Sequence, residues 1–228
     1  MSIPVRVVFF DIDFTLIRPG RAFQGEGYRD FCARHGIEVD PKAFDRAVVT
    51  ASATLDVRGG AHDPAVFVDY TARIIEAMGG RGPQVPAAAR DIYDEWASCR
   101  HFSLYDEVPE VLRALKDDGF TIGLISNTQR SMAEFERHFS LEGMFTVAIS
   151  SSDHGYMKPH PSIFEEALRR VDARPAEAAM VGDSVPHDIV GARAAGMRAI
   201  LVARSGLSRA CPPEVPVIRS LRELRPLL

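Results

Sequence analysis

The sequence predicts an α/β fold in which a doubly wound parallel sheet carries an inserted helical bundle, and three observations indicate it. A β-branched and aromatic run over residues 5–10 ends at two aspartates, as a buried strand would. Residues 18–100 show helical spacing interrupted by glycine-rich breaks. From Tyr105 onward, short apolar runs alternate with helical patterns, which is typical of strands joined by crossover helices. We therefore predict a core domain of residues 1–17 and 101–228 and a helical domain of residues 18–100.

The composition limits the class of partner. The chain has 228 residues, of which 46% are hydrophobic and 25% are charged, enough for one substantial core and a smaller second unit. Its 27 basic and 31 acidic residues give a net charge of -4, which offers no broad basic field to nucleic acid or to an anionic membrane. We therefore expect a small-molecule partner, and we leave the oligomeric state open.

The cysteines and the apolar runs indicate the compartment. Three widely separated cysteines without C-x-x-C spacing favour reduced packing residues over a disulfide framework or a thiolate zinc site. No apolar run approaches the length of a membrane span. Because Val5 already begins the first strand, we expect no cleaved signal peptide, and hence a cytoplasmic location.

The first strand ends at the two most informative residues of the chain. Side chains alternate along a strand, so Asp11 and Asp13 leave the backbone on the same side and Ile12 points away. The carboxyl ends of parallel strands face the ligand crevice, which makes this edge the expected place for chemistry. A pair of aspartates in this pattern is also common in turns, so its meaning depends on what the rest of the chain brings to the same edge.

The inserted region is predicted to form a small bundle. Helices are expected over residues 41–57, 64–78 and 86–99. Asp40 and Asp63 precede the first two as N-caps, and each is followed by proline at the first helical position. An earlier helix is indicated by a stripe of Tyr28, Phe31, Cys32 and His35.

The rest of the chain is predicted to continue the core domain. Strands are predicted over residues 120–125, 145–149, 178–181 and 198–202, with helices over 109–118, 130–139, 162–171 and 188–195. Polar residues follow two of these strands, Ser126 with Asn127 and Asp183 with Asp188. Together with the aspartates after the first strand, they should meet at one edge of the sheet.

Four short motifs in this order resemble those of the haloacid dehalogenase-like hydrolase superfamily. They are Asp11-Ile12-Asp13-Phe14-Thr15, Ser126-Asn127, Lys158-Pro159, and Gly182-Asp183-Ser184 followed by Asp188. Each motif is weak alone, but their ordered placement at strand ends is specific, and the resemblance covers essentially the whole chain. It implies a Rossmann-like core, and the helical insertion resembles the cap domain of one branch of that superfamily.

The resemblance implies a phosphatase that hydrolyses a phosphorylated small molecule through an aspartyl-phosphate intermediate. Asp11 is the expected nucleophile, and Asp13 is expected to protonate the leaving oxygen and then to deprotonate the attacking water. Lys158 is the third expected catalytic residue, supplying positive charge to the phosphoryl group. Thr15, Ser126 and Asn127 are the expected substrate-binding residues. Residues 126–128 are also expected to cap the following helix, so that its amides face the phosphate.

The resemblance also implies Mg²⁺ as the cofactor. Side chains of Asp11 and Asp183 and the backbone carbonyl of Asp13 are the expected ligands, and Asp188 is expected to support the metal's waters. The chemistry of the residues agrees, because three clustered carboxylates repel one another and a hard cation with oxygen ligands relieves that repulsion.

Two departures and several alternatives remain at this point. Phe14 stands where the family most often has glycine, which questions the local backbone path because a bulky residue adopts positive φ at a cost. His187 stands where asparagine is frequent. A true dehalogenase is the nearest alternative, but by resemblance it lacks an aspartate at the position of Asp13. A phosphomutase, a phosphonate hydrolase and a catalytically silent binding protein are the others, and the intact acids oppose the last.

The substrate is not determined by the sequence. Fold analogy does not choose among sugar phosphates, phosphoglycolate and nucleotides. Polar cap residues that could meet the leaving group are Arg21, Gln24, Tyr28, Arg58, His62 and Arg100. For each of these, a solvated helix face or core packing is the simpler explanation.

Overall fold

The computed structural model describes residues 3–55, 60–204 and 211–228. The described residues fall into two compact units. The core unit comprises those within 1–18, 58–62 and 104–228, and the helical unit those within 19–57 and 63–103. Of the residues singled out from the sequence, Arg58 lies outside the described ranges.

Within the described residues, eight strands form two sheets. They are β1 (Val7–Phe10), β2 (Ile17–Pro19), β3 (Phe102–Leu104), β4 (Thr121–Ser126), β5 (Val147–Ser150), β6 (Ala178–Gly182), β7 (Arg198–Val202) and β8 (Val217–Ile218). The main sheet has six strands in the order β5-β4-β1-β6-β7-β8, and neighbouring strands are parallel throughout. The other two, β2 and β3, form a separate two-stranded sheet.

Nine α-helices accompany these strands in the part of the chain that the structure describes. They are α1 (Gly25–Arg34), α2 (Phe44–Ala51), α3 (Pro64–Ala77), α4 (Val85–Trp96), α5 (Val108–Asp117), α6 (Met132–His138), α7 (Ser151–His154), α8 (Pro161–Arg170) and α9 (Val190–Ala194). Among the residues that the structure describes, none of the helices is long and apolar enough to cross a membrane.

The strand order places β1 where the winding of the sheet reverses. Its neighbours are β4 on one side and β6 on the other, and Phe10 lies opposite both Leu124 and Val181. All four residues of β1 are buried, as expected for a strand covered on both faces. In such doubly wound sheets the crevice at the carboxyl ends of the strands, at this reversal, is the usual ligand site. The predicted Rossmann-like α/β class is confirmed.

Both predicted aspartate caps are present in the helical unit. The Asp40 carboxylate accepts a hydrogen bond from the Lys42 amide at 3.0 Å, and the Asp63 carboxylate accepts one from the Ala65 amide at 2.9 Å. The single helix predicted over 41–57 is instead a 3-10 turn at Pro41–Ala43, then α2, then a second 3-10 turn at Ser52–Leu55. The end of that prediction, residues 56–57, lies outside the described residues.

Two predicted helix starts in the core unit are wrong. The helix after β4 begins at Met132, and its N-cap is Ser131, whose hydroxyl accepts from the Glu134 amide at 3.3 Å. Residues 126–128 therefore do not cap it. The helix expected from Asp188 begins at Val190 instead, because residues Val185–Ile189 form a π-helical turn whose first amides are capped by Ser184.

The turn after β1 settles the question raised by Phe14. The carbonyl of Ile12 accepts hydrogen bonds from the amides of Leu16 at 2.8 Å and Ile17 at 3.1 Å, which folds the chain back sharply. Phe14 lies inside this turn with φ of 60°, the left-handed region in which glycine carries no steric penalty. Phe14 thus adopts the backbone conformation typical of glycine, with a steric penalty that glycine would not have.

Paired variants at position 14 isolate that cost. Both Phe14→Ala and Phe14→Gly remove the ring, so we expect Phe14→Gly to be the more stable by about 1 kcal/mol, because only alanine retains a Cβ in the left-handed region. The free energy of unfolding from urea titration measures the difference. Ala114→Gly, at an exposed site inside α5, is the matched control and should destabilise by about 1 kcal/mol. Alanine equal to or better than glycine at position 14 would contradict the turn geometry.

Candidate active site

Three carboxylates meet at the carboxyl edge of the sheet. Asp11 directly follows β1, Asp183 directly follows β6, and Asp188 comes from the π-helical turn after β6. Each offers an oxygen within 4.8 Å of the other two. The sequence predicted these residues as a metal site, and the structure brings all three together.

A glycine at the end of β6 makes room for this cluster. A Cβ added to Gly182 would lie 2.3 Å from the Asp188 carboxyl carbon, far inside the distance that two carbon atoms allow. The Asp188 carboxylate can therefore pack against the end of β6 only because residue 182 has no side chain. Its Oδ2 accepts a hydrogen bond from the Ser184 amide at 2.9 Å, which fixes its direction.

The ammonium of Lys158 lies within the cluster. Its Nζ donates to Asp11 Oδ1 at 2.7 Å, to Asp188 Oδ1 at 2.6 Å and to the Ile125 carbonyl at 2.8 Å. The residue is 2% exposed, so these three acceptors replace the water that the ammonium would otherwise hold. From the sequence alone, Lys158 could equally be a solvated surface residue. In the structure it is a buried cation at the carboxylate cluster.

Asn127 holds the backbone of Lys158 in place. Its side-chain carbonyl accepts from the Lys158 amide at 2.7 Å, and its amide nitrogen donates to the Lys158 carbonyl at 2.9 Å. The sequence predicted Asn127 as a substrate-binding residue, whereas in the structure both ends of its side chain are engaged with Lys158. The contact links the residue after β4 to the backbone from which the lysine side chain extends.

The pKa values of the acids reflect burial first and repulsion between the carboxylates second. Burial raises the pKa of Asp11 to about 7, with Asp188 adding to the rise and Lys158 opposing it. Burial, followed by the charges of Asp11 and Asp188, raises the pKa of Asp183 well above its ordinary value. For Lys158, burial favours the neutral form, but the two carboxylates outweigh it and raise the pKa. One lysine does not balance three acids, and a bound cation would relieve the remainder.

The other predicted residues differ in accessibility. Asp13 keeps 17% of its side chain exposed beside the cluster, and Ser126, the last residue of β4, is 1% exposed. Thr15 is fully buried, and its hydroxyl has no hydrogen-bond partner among the residues that the structure describes. Asp13 is therefore an acid of the site that remains partly open to solvent, while Thr15 belongs to the packing of the turn.

The geometry agrees with a comparison against protein-family models. The haloacid dehalogenase-like hydrolase model matches residues 5–196, most of the chain. The chain belongs to this family. The matched segment includes all four motifs and all three clustered carboxylates, so the family and the geometry point to the same site.

Two proteins of similar sequence and one similar crystal structure match nearly the whole length of this hydrolase. It is 28% identical to haloacid dehalogenase-like hydrolase domain-containing protein 3 of Homo sapiens, over 98% of this chain and 94% of that protein. It is 30% identical to glyceraldehyde 3-phosphate phosphatase of Pyrococcus furiosus, over 86% of this chain and 80% of that protein. A crystal structure of 2-haloacid dehalogenase from Pseudomonas syringae pv. Tomato DC3000 superposes with a TM-score of 0.64 at 26% identity, covering 98% of this chain and 97% of that one.

The polar residues of the insertion occupy varied surroundings in this hydrolase. Arg21 and Gln24 are exposed, and Arg100 is paired with Glu95 in the helical unit. Tyr28 is 3% exposed and packs on the Phe44 ring, so it is a packing residue. His62 belongs to the core unit, where its Nδ1 lies 2.9 Å from the Ser151 hydroxyl.

A buried ion pair that the sequence analysis missed supports the turn after β1. Arg204 donates to the Thr15 carbonyl at 2.7 Å and to Glu107 Oε1 at 2.7 Å, and its guanidinium lies 3.5 Å from the centre of the Tyr105 ring. Glu107 is 6% exposed and also accepts from the Ser220 hydroxyl at 3.1 Å. These residues are far apart in the chain, so no local pattern indicates the pair.

The charge of Glu107 should stabilise the fold at neutral pH. Burial opposes that charge, but the hydrogen bond from Arg204 and nearby backbone amides outweigh it and lower the pKa from 4.5 to about 2. Because the pKa in the folded state is below the ordinary value, the stabilisation is complete above pH 4.5 and is lost as the pH falls toward 2.

Glu107→Gln should therefore lower the free energy of unfolding by about 3 kcal/mol at pH 7, since it leaves Arg204, whose side chain is only 12% exposed, without its anion. Urea titrations between pH 7 and pH 3 measure the difference, which should shrink toward the acid end. Glu110→Gln is the matched control, because Glu110 pairs with Arg222 with side chains 69% and 60% exposed. That loss should stay below about 1 kcal/mol. A Glu107→Gln effect as small as the control's would contradict the role assigned to the buried pair.

Proposed function

We propose that this hydrolase is a Mg²⁺-dependent phosphatase that hydrolyses a small phosphomonoester through an aspartyl-phosphate intermediate on Asp11. The observation that carries the proposal is the arrangement of Asp11, Asp183 and Asp188 within 4.8 Å of one another around a buried lysine, with a second acid two residues after Asp11. The similarity to a protein named glyceraldehyde 3-phosphate phosphatase supports it.

The donor set fits a hard divalent cation. The three carboxylates supply only oxygen donors, and burial together with mutual repulsion raises the pKa of Asp11 and Asp183, so a cation at this point would be stabilising. Asp11 and Asp183 would hold Mg²⁺ through side chains and Asp13 through its backbone carbonyl. Both oxygens of Asp188 already accept hydrogen bonds, from Lys158 and from the Ser184 amide, which suits a supporting role. When bound, the ion supplies positive charge beside the transferring phosphoryl group.

The residues of this chain account for the two half-reactions. A carboxylate oxygen of Asp11 attacks phosphorus, and the bond between phosphorus and the leaving oxygen breaks as Asp13 donates its proton to that oxygen. Water then attacks phosphorus while Asp13 takes a proton from it, and the carboxylate of Asp11 leaves. Lys158, which contacts Asp11 at 2.7 Å, supplies fixed positive charge beside the phosphoryl oxygens in both steps.

Dehalogenation is the second candidate, favoured by the similarity to a structure described as 2-haloacid dehalogenase. A dehalogenase also uses an aspartate nucleophile, but it attacks carbon and has no phosphoryl charge to neutralise. By resemblance, a dehalogenase lacks an aspartate at the position of Asp13, and the carboxylate cluster suits a metal ion that dehalogenation does not require, so we place phosphatase first. A phosphomutase or phosphonate hydrolase would share this core. By resemblance, the helical unit is proposed as the cap that selects the leaving group.

The first prediction of the proposal is dependence on a divalent cation. EDTA should abolish hydrolysis of p-nitrophenyl phosphate, and Mg²⁺ should restore it, because the cation offsets the charge of the three carboxylates. Asp183→Asn should raise the Mg²⁺ concentration needed for half of the maximal rate by about 10-fold or more. Asp117→Asn, an exposed acid at the end of α5, is the control and should leave the response unchanged. Full activity in the chelator would refute the metal requirement.

The second prediction separates phosphatase from dehalogenase by the bond that water breaks. In a phosphatase the water attacks phosphorus, so Asp11 keeps its own oxygens, whereas in a dehalogenase the water attacks the ester carbonyl of the aspartate. A single turnover in ¹⁸O-water, followed by mass spectrometry of phosphate and of the Asp11 peptide, should place the label in phosphate alone. Label in the Asp11 peptide would overturn the assignment.

A further inference from the structure

The side chain of Arg130 is fully buried, and it contacts the second acid of the site. Its Nη1 donates to Asp13 Oδ1 at 3.1 Å and approaches Oδ2 at 3.4 Å, while its side chain is 0% exposed. The segment that carries it is fixed locally, since the Arg130 amide donates to the Thr128 hydroxyl at 3.0 Å and Ser131 caps α6. The backbone at Arg130 is thus held by local hydrogen bonds after the carboxyl end of β4, and its side chain contacts a residue 117 positions away in the chain.

The burial of this guanidinium requires hydrogen-bond acceptors that replace water. A buried arginine keeps its proton, and removing its charge from water is costly unless polar groups accept from it. One of these acceptors is the carboxyl group of Asp13, whose side chain is 17% exposed and lies two residues after Asp11. Its Oδ1 can accept from Nη1 both when Asp13 carries the proton that it donates and after it has lost it, so the contact directs the group in both steps. An ion pair that only stabilised the fold would not need to lie at the site. This pair instead holds the group that must meet the substrate.

We propose that Arg130 is a positioning residue that sets the direction of the Asp13 carboxylate for proton transfer; this inference rests on the proposed function. Arg130 exchanges no proton itself. The proton passes from Asp13 to the leaving oxygen as the bond to phosphorus breaks, and a proton from the attacking water returns to Asp13 in the second step. Proximity and orientation of the donor determine the rate of such transfers, so a misdirected carboxylate slows them without changing the nucleophile.

This role makes the effect of Arg130 depend on the leaving group. The p-nitrophenolate ion departs without a proton, whereas the alkoxide of β-glycerophosphate does not. General acid catalysis typically contributes about 10²–10⁴-fold to the rate of such a step. We expect Arg130→Met to lower kcat/KM for β-glycerophosphate at least about 10-fold more than for p-nitrophenyl phosphate. Arg130→Lys, which keeps the positive charge, should recover part of the difference.

The experiment measures kcat/KM for both esters in the wild type, Arg130→Met, Arg130→Lys, Asp13→Asn and the double variant Asp13→Asn with Arg130→Met. The ratio between the two esters does not depend on the fraction of folded enzyme, so it remains informative when a variant is destabilised. If Arg130 acts through Asp13, adding Arg130→Met to Asp13→Asn should leave the ratio unchanged. Leu168→Ala, which opens a cavity in the core at a residue 5% exposed, is the control and should lower both rates equally.

Each outcome decides the inference. Equal losses on the two esters in Arg130→Met would mean a structural role only and would overturn it, as would a further change of the ratio in the Asp13→Asn background. Either result leaves the proposed phosphatase function standing. A wild-type enzyme that hydrolyses neither ester removes the proposed function, and this inference with it.

Discussion

The site depends on the buried ammonium of Lys158. It bridges Asp11 and Asp188 at 2.7 and 2.6 Å, so two acids on different segments of the chain share one cation. Each carboxylate alone would be a buried like charge facing the other, and removing one partner from a buried ion pair costs about 3–5 kcal/mol. The lysine therefore keeps the acids of the cluster together at the edge of the sheet. The backbone of Lys158 is in turn held by Asn127, whose side chain hydrogen-bonds to both its amide and its carbonyl.

Small local features of the backbone make this arrangement possible. The cluster needs β1 beside β6, a residue without a side chain at position 182, and a turn that returns Asp188 toward the strand end. The π-helical turn meets the last need, because it starts two residues after Asp183, contains Asp188 and is capped by the Ser184 side chain. Another irregular residue, Phe14, follows β1, where its left-handed backbone conformation turns the chain back sharply. Irregular backbone is thus concentrated where the functional groups lie.

Three cationic side chains support the site. Lys158 contacts Asp11 directly, Arg130 contacts Asp13, and Arg204 holds the Thr15 carbonyl in the turn that follows both acids. The first of these residues was recognised from its motif, and the other two were not. Each of the two arginines lies in the core unit and is paired with a buried or nearly buried carboxylate, so each fixes a segment of the site as well as compensating its charge.

The sequence by itself determined the α/β class, the order of the five strands β1, β4, β5, β6 and β7, the Asp40 and Asp63 caps and the acids that gather at the site, because these follow from local periodicity, capping and short motifs. It did not indicate the short strands β2, β3 and β8 or the single-turn helix α7. It did not determine where α6 and α9 begin, since both starts depend on serine caps and a π-helical turn that hydrophobic spacing does not show. Only the tertiary structure decided that Lys158 reaches Asp11 across 147 positions, and that Asn127 binds the lysine backbone. It also decided that Arg130 reaches Asp13 across 117 positions. Such contacts follow from strand order and from which side chains share a buried space, and neither property is encoded in any local stretch of the chain.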